Sequence, residues 1–220
     1  MDNLYIEVET LSESIFGNGQ SATNIVDLDI LHDDYGIPYF KGKTFKGKLR
    51  EEVEEIVKII RENTKKDLSN YVDDIFGKQG EGFESLTNFK FSNCTIKEKI
   101  KNCLIYGQEK KMFTKKDVLE SLTEIRSFTS MDEKGMAKKG GLRQVRVIKK
   151  GLKFYVDIHC IRDIESMEKY LIAAGASSLR HLGLMESRGK GYVKCKLYEN
   201  GKDVTELYLS SLEKEVNNIE

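Results

Sequence analysis

The feature that most limits the possible fold is the spacing of hydrophobic residues. A segment with a period of two is followed by a segment with a helical period, and this order occurs twice along the chain. Residues 4–9 alternate between apolar and polar side chains, which predicts a strand with one buried face. A helix is then predicted from Thr44, as its cap, to about Glu62. Its apolar positions at helical spacing are Phe45, Leu49, Val53, Ile56 and Ile60.

The second half of the chain repeats this order. Residues 142–160 predict two strands that turn at Lys150-Gly151, and Asp163 is predicted to cap a helix that ends near Ser178. Shorter elements are predicted at Asp67–Gly77 (helix), Asn88–Cys94 (strand), Lys116–Leu122 (helix), 192–197 (strand) and from Val204 onward (acidic helix). This order predicts an α+β protein, with a ferredoxin-like or RRM-like core in a single domain of residues 1–220.

Two segments do not fit that core and are predicted to be insertions. Residues 128–150 begin with a glycine-rich stretch that predicts flexibility up to Gly141, and they carry many cations. We predict that they form a protruding basic hairpin, or thumb. Residues 65–125 are predicted to be an insertion or lid region.

Composition excludes several classes of protein. No apolar run is long enough to span a membrane, and the first residues lack the basic start and apolar centre of a secretory signal. The cysteines Cys94, Cys103, Cys160 and Cys195 are too far apart in sequence for a CxxC metal site. We therefore expect a cytoplasmic protein with reduced thiols and no membrane partner.

Charge is balanced overall but separated along the chain. The sequence has 36 basic and 36 acidic residues, which by itself argues against a nucleic-acid partner. However, residues 41–50 and residues 134–153 contain only basic charges, while acidic residues collect elsewhere. Such separation can produce a local electropositive face on a neutral protein, although two solvated surface segments would give the same pattern.

Residues 36–50 have the composition expected for a phosphate contact. Lys43, Thr44, Lys46 and Arg50 surround a predicted helix start, where unpaired backbone N–H groups favour anions. The segment is not a Walker A loop, because Leu49 stands where that motif needs a hydroxyl ligand for magnesium. An ordinary basic helix start remains the alternative interpretation.

Two further loops are candidates for chemistry. The glycine-rich loop of residues 182–191 carries Arg188 and Lys190, which could contact phosphates, but it could equally be a simple turn. The loop of residues 24–38 holds Asp27 and Asp29 as candidates to bind a divalent metal or activate a 2′-hydroxyl. Asp33 and Asp34 in the same loop suit turn chemistry.

Together these segments resemble blocks of the RAMP superfamily of CRISPR proteins. The blocks are GIPYFKGKTFKGKLR at 36–50, IFG at 75–77 with FKFSN at 89–93, the basic stretch 126–154, and LGLMESRGKGYV at 182–193. Their order and the chain length are most similar to the backbone subunit of type III effector complexes, the Csm/Cmr class.

The resemblance implies a specific set of partners and roles. Copies of the chain would stack along a guide RNA beside other type III subunits, and the thumb would interrupt guide–target pairing. Target RNA would be cleaved by Asp27, with Asp29 as the nearest competitor, using Mg²⁺ or Mn²⁺ held by Asp27. The implied RNA-binding residues are Lys43, Thr44, Lys46, Arg50, Thr129, Met131, Arg143, Arg188, Gly189 and Lys190.

Two alternatives stay open within the same superfamily. The chain could be a non-cleaving structural subunit that caps the filament. It could also be a guide-processing endoribonuclease, for which His32 or His181 would be the candidate catalytic histidine.

Overall fold

The computed structural model describes residues 3–17, 26–78, 88–131 and 136–217, which form an α+β fold. The strands are β1 (Leu4–Thr10), β2 (Phe89–Phe91), β3 (Thr123–Met131), β4 (Ala137–Ile148), β5 (Lys153–Cys160), β6 (Val193–Glu199) and β7 (Lys202–Asp203). The α-helices are α1 (Gly42–Thr64), α2 (Ser69–Phe76), α3 (Glu98–Glu109), α4 (Lys115–Leu122), α5 (Ser166–Ser178) and α6 (Thr205–Asn217).

The central sheet has the strand order β2-β5-β1-β6-β7 with antiparallel pairing throughout. Its first four strands, with α1 after β1 and α5 after β5, follow the β-α-β-β-α-β order of a ferredoxin-like core. The predicted fold class is therefore confirmed. The hairpin β3–β4 is inserted between β2 and β5 and forms a separate two-stranded sheet.

Strand alternation explains which face of the central sheet carries the core. Ile6 pairs with Val156 on one side and with Leu197 on the other, and all three side chains are fully buried. The apolar face of α1 packs against α5, where a Cβ added at Gly175 would lie 2.4 Å from a methyl group of Val53. This close approach holds the two helices on the buried face of the sheet.

Several predicted boundaries are wrong. The first long helix begins at Gly42, so Thr44 is not its cap; the Asn93 side chain accepts a hydrogen bond from the Gly42 N–H at 2.9 Å. The second long helix begins at Ser166 with Glu165 as the cap, so Asp163 is not its cap. At the first helix the hydrogen bond is made to a distant segment, whereas at the second a local capping box of Glu165 and Glu168 replaces the predicted cap.

Two predicted segments have a different structure. The glycine-rich stretch after Phe128 is extended in its described parts, because β4 pairs with β3 there. Helix α3 was not predicted; Gly107 is its one buried residue, and its apolar residues Ile100 and Tyr106 are exposed. The helices predicted near 67–77 and 116–122 are confirmed, as is the turn at Lys150-Gly151.

Whether residues 65–125 act as a lid stays a prediction. This range contains α2, α3 and α4, but it also contains β2, which is an edge strand of the central sheet. In the part of the chain that the structure describes, no helix is both long and apolar enough to cross a bilayer.

Candidate nucleic-acid interface

The hairpin β3–β4 presents two faces that differ in chemistry. The strands pair from Thr123 opposite Ile148 to Thr129 opposite Leu142. Cross-strand neighbours share a face, so Phe128 and Arg143 lie on one side of the hairpin. Val145 continues this side and is buried, which fixes the base of the hairpin to the body of the protein.

The glycine-rich loop is held in place by its backbone. A Cβ at Gly183 would lie 2.3 Å from the carbonyl oxygen of Ile15, and Gly183 has a φ of +101°, so only glycine suits this position. The backbone N–H groups of residues 184, 188, 189, 190 and 191 all donate to protein carbonyls. These amides are occupied, so the cationic side chains of Arg188 and Lys190 are the charged groups that this loop can offer to phosphate.

A groove separates the hairpin from this loop. It is a cavity of about 810 Å³ lined by Phe128, Thr129, Arg143, Val145, Met185, Ser187 and Arg188. Three predicted RNA-binding residues, Thr129, Arg143 and Arg188, therefore converge although they come from distant segments. The guanidinium groups of Arg143 and Arg188 are exposed and make no ion pair with the described part of the chain. The groove can thus offer two uncompensated cations to an anionic strand.

Lys190 lies at the edge of the same groove. Its ammonium group is 6.0 Å from the centre of the Phe128 ring and forms an ion pair with Glu13. Gly189 caps a short 3₁₀ helix with a φ of +70° and faces open space. Met131 pairs through its backbone with Ala137, and its side chain is outside the described part of the structure.

The predicted residues at the start of α1 lie elsewhere. Lys43 and Thr44 are exposed in the first turn, but neither they nor Lys46 and Arg50 line the groove. The Lys46 ammonium is 6.0 Å from the centre of the Phe91 ring, and burial followed by the nearby Arg50 lowers the pKa of Lys46. RNA contact by these residues stays a prediction.

Arg50 has a structural role. Its guanidinium donates to the carbonyl oxygen of Gly77 at 2.7 Å and to the Glu54 carboxylate at 2.6 Å, and so joins α1 to the end of α2.

Lys48 lies on the opposite flank of α1, about 200° around the helix from Lys46. Its hydrogen bond to Glu51 and the charge of Glu186 in the glycine-rich loop contribute to raising the pKa of Lys48.

The aspartate loop is attached to the edge of β4. The Asp27 backbone N–H donates to the Gln144 carbonyl at 2.8 Å, and the Gln144 N–H donates to the Asp27 carboxylate at 2.6 Å. Leu28 continues this contact as a parallel bridge to Val145. Asp27 is exposed and is held against Gln144, the residue that follows Arg143, but it is not among the residues that line the groove.

Asp29 has a different environment. Its carboxylate accepts a hydrogen bond at 3.0 Å from the Arg146 guanidinium, which is 8% exposed and also donates to the Thr123 hydroxyl. Asp33 accepts from the backbone N–H groups of Tyr35 and Ile37, each at 3.0 Å, which confirms the turn predicted there. Asp29 and Asp33 are therefore occupied within the protein.

The described residues do not form a complete ligand set for a divalent metal. Among the described residues, no three histidine, cysteine or carboxylate side chains come together to hold a metal ion. Magnesium commonly binds through one or two carboxylates, with substrate phosphates and water supplying the other oxygens. Asp27 can provide one such oxygen because its carboxylate is exposed. A cage made by the described residues alone does not fit.

The histidines do not face the groove. The His32 ring nitrogen Nδ1 is 3.0 Å from the Asp33 carbonyl, and the His181 ring lies 5.4 Å from the ring of Tyr192.

Sequence reasoning missed Arg126, Gln144 and Glu13, which take part in the contacts around the groove. No sequence signal pointed to them, because their partners are more than 100 residues away along the chain.

Comparisons with known proteins agree on one family. The profile of the RAMP superfamily matches residues 7–194. A chain of the type III-B Cmr-β complex, determined by cryo-EM in its apo state, superposes with a TM-score of 0.61 at 12% identity, over 90% of this chain and 97% of that chain. The same complex bound to cognate target RNA gives 0.59 at 13% identity with the same coverage. No curated protein sequence matches significantly.

Proposed function

This chain belongs to the RAMP superfamily, and from that premise we propose that it is a backbone subunit of a type III CRISPR ribonucleoprotein. In this role it binds a guide RNA through the groove between hairpin β3–β4 and the glycine-rich loop. It then cleaves the paired target RNA with Asp27. The solved structures of similar fold support the type of assembly, because they are subunits of Cmr complexes, one of them bound to target RNA.

The observation that carries the proposal is the convergence of three separate segments. Arg143 comes from the hairpin, Arg188 from the glycine-rich loop, and Asp27 from the aspartate loop that is hydrogen-bonded to β4. Two exposed cations that line one groove, together with an exposed carboxylate hydrogen-bonded to the residue next to Arg143, supply groups that phosphodiester cleavage needs. The cations bind and orient the phosphate, and the carboxylate accepts a proton.

The proposed reaction is an internal transesterification. The Asp27 carboxylate removes the proton from a 2′-hydroxyl, and the 2′-oxygen forms a bond to the adjacent phosphorus. The bond from phosphorus to the 5′-oxygen breaks, and that oxygen takes up a proton. The products are a 2′,3′-cyclic phosphate and a free 5′-hydroxyl. A bound Mg²⁺ or Mn²⁺ would neutralise charge on the phosphate during this step.

The local contacts favour Asp27 over Asp29 for this role. Asp27 is exposed, and the hydrogen bond from Gln144 fixes its direction while leaving part of its carboxylate accessible. Asp29 is engaged by the buried guanidinium of Arg146, so proton transfer through it would break that ion pair. We therefore assign proton removal to Asp27 and a positioning role to Asp29.

Substituting Asp27→Asn tests this assignment in the assembled ribonucleoprotein. The amide oxygen can still accept from the Gln144 N–H, so the loop should stay in place while the basic carboxylate is lost. We expect guide binding and assembly to be unchanged and target cleavage to fall by about 10²- to 10⁴-fold, the range usual for removal of a general base. End-labelled target RNA and analysis of the product termini measure both effects.

Asp34→Ala is the matched control, since Asp34 is an exposed aspartate in the same loop. It should cleave as the wild type does. Cleavage that survives both Asp27→Asn and Asp29→Asn would refute the assignment. A wild-type assembly that binds target RNA without cutting it would identify the chain as a capping subunit, and cutting of the guide precursor would identify a processing enzyme.

A further inference from the structure

Glu13 occupies an unusual position between the two sides of the groove. Its carboxylate accepts hydrogen bonds from the Arg126 guanidinium, through Nε at 2.7 Å, and from the ammonium group of Lys190. Arg126 belongs to the hairpin, and Lys190 belongs to the glycine-rich loop. One carboxylate therefore links the two cationic elements that border the groove.

The backbone around Glu13 explains why it reaches both elements. The Gly191 N–H donates to the Glu13 carbonyl at 2.8 Å, and the next residue, Ser14, exchanges two backbone hydrogen bonds with Ile148 at the end of β4. The segment of residues 11–17 thus runs between the loop and the hairpin. Its contacts hold Glu13 in place independently of the ion pairs.

The position of the Glu13 carboxylate is one that a phosphate oxygen could also take. Arginine and lysine bind carboxylates and phosphates with similar hydrogen-bond geometry. Lys190 lies over the ring of Phe128, which lines the groove, so its ammonium group is within reach of a strand bound there. Arg126 is also partly exposed and has Glu124 as a second acidic neighbour at 2.6 Å.

We propose that Glu13 is an internal counter-ion that holds Arg126 and Lys190 in the absence of RNA and gives them up to phosphodiester groups when a strand binds. This inference rests on the proposed RNA-binding function of the groove. It makes Glu13 a positioning residue that limits the affinity for RNA in general. An RNA strand that fits the groove closely displaces the carboxylate and contacts both cations. An RNA strand that binds more loosely contacts neither of them.

The test is Glu13→Gln in the full chain, with a fluorescent single-stranded RNA of mixed sequence. The neutral amide removes the charge partner of Lys190 and leaves Arg126 with Glu124 as its acidic neighbour, so we expect affinity to rise about threefold to tenfold at low salt. The plot of log affinity against log salt should steepen by roughly 0.7 for each cation released. A thermal melt of the variant confirms that the protein under test is folded.

A double-mutant cycle and a control give the test its specificity. In a background of Arg126→Gln and Lys190→Gln, the Glu13→Gln substitution should no longer change RNA affinity. Glu9→Gln makes the same charge change on β1, where Glu9 faces Lys153 and Lys194 across the sheet, and should not raise affinity comparably.

Two outcomes would overturn the inference. Unchanged or weaker RNA binding by folded Glu13→Gln, with wild-type binding intact, would refute the counter-ion role alone. A wild-type protein that fails to bind RNA would instead refute the proposed function on which the inference rests.

Discussion

At the scale of residues, two aspartates of one loop have different environments because they meet different positions on β4. Asp27 contacts the backbone of Gln144, and Asp29 contacts the side chain of Arg146 two residues further on. Loop and strand run in parallel here, so equal spacing on both brings each aspartate to its own partner. One carboxylate stays exposed, and the other neutralises a buried guanidinium.

Substituting Asp29→Asn should destabilise the protein by about 1–3 kcal/mol, because the buried Arg146 guanidinium would lose its charge partner. Chemical denaturation with a fluorescence or circular dichroism signal measures this change in the free energy of unfolding. Arg143→Gln is the control: its guanidinium is exposed and has no ion pair in the described structure, so stability should stay nearly constant. Equal effects of the two substitutions would contradict this view of the Asp29–Arg146 pair.

At the scale of elements, the start of α1 shows how a helix can be capped from a distant segment. Gly42 lies so close to β2 that an added Cβ would be 2.4 Å from the Ser92 carbonyl oxygen. The next residue in that segment, Asn93, accepts the hydrogen bond from the first N–H of the helix. The cap therefore depends on the close packing that glycine permits at this position.

Substituting Asn93→Ala should lower stability by about 1 kcal/mol, the usual cost of losing an N-terminal cap. Thr44→Ala should change stability by less than about 0.5 kcal/mol, because Thr44 is exposed and lies inside the helix. Thermal unfolding of both variants compares them directly. A larger loss from Thr44→Ala would restore Thr44 as the cap.

At the scale of the whole molecule, the ferredoxin-like core and the hairpin are separate sheets joined through the segment of residues 11–17 and the aspartate loop. The core buries Cys94 and Cys195, while Cys103 on α3 is exposed. Burial raises the pKa of Cys195 to about 12, and burial followed by the nearby Cys195 raises the pKa of Cys94. These thiols therefore report on the integrity of the core.

A thiol reagent at neutral pH should label Cys103 rapidly and should label Cys94 and Cys195 only when the core unfolds. The pKa that burial raises keeps both thiols protonated throughout the neutral range while the core is folded, so they should react only after they become exposed. Mass spectrometry of the labelled protein measures each site. Cys103→Ser should remove the label at that site and leave only slower labelling of the half-buried Cys160, and rapid labelling of Cys195 in the native protein would contradict the buried core.

The sequence by itself determined the order of the core elements. Strand β1, strand β5 and helix α1 each repeat their hydrophobic period several times, and such a local signal survives without knowledge of the neighbours. It also singled out Arg143, Arg188 and Asp27 through the resemblance of their segments to one superfamily, but it did not predict that Arg143 and Arg188 line the same groove while Lys46 and Arg50 do not. Helix α3 was missed, and it is mostly exposed, so its apolar residues do not mark one buried face.

Only the tertiary structure decided what each charged residue does. Arg50 became a link between two helices, Asp29 a partner of Arg146, and Glu13 a bridge between hairpin and loop. The physical reason is that an ion pair depends on distance in space, and these partners are separated by up to 177 residues along the chain. Hydrophobic periodicity is a property of short stretches of sequence, whereas ion pairs between distant residues form only once the chain has folded.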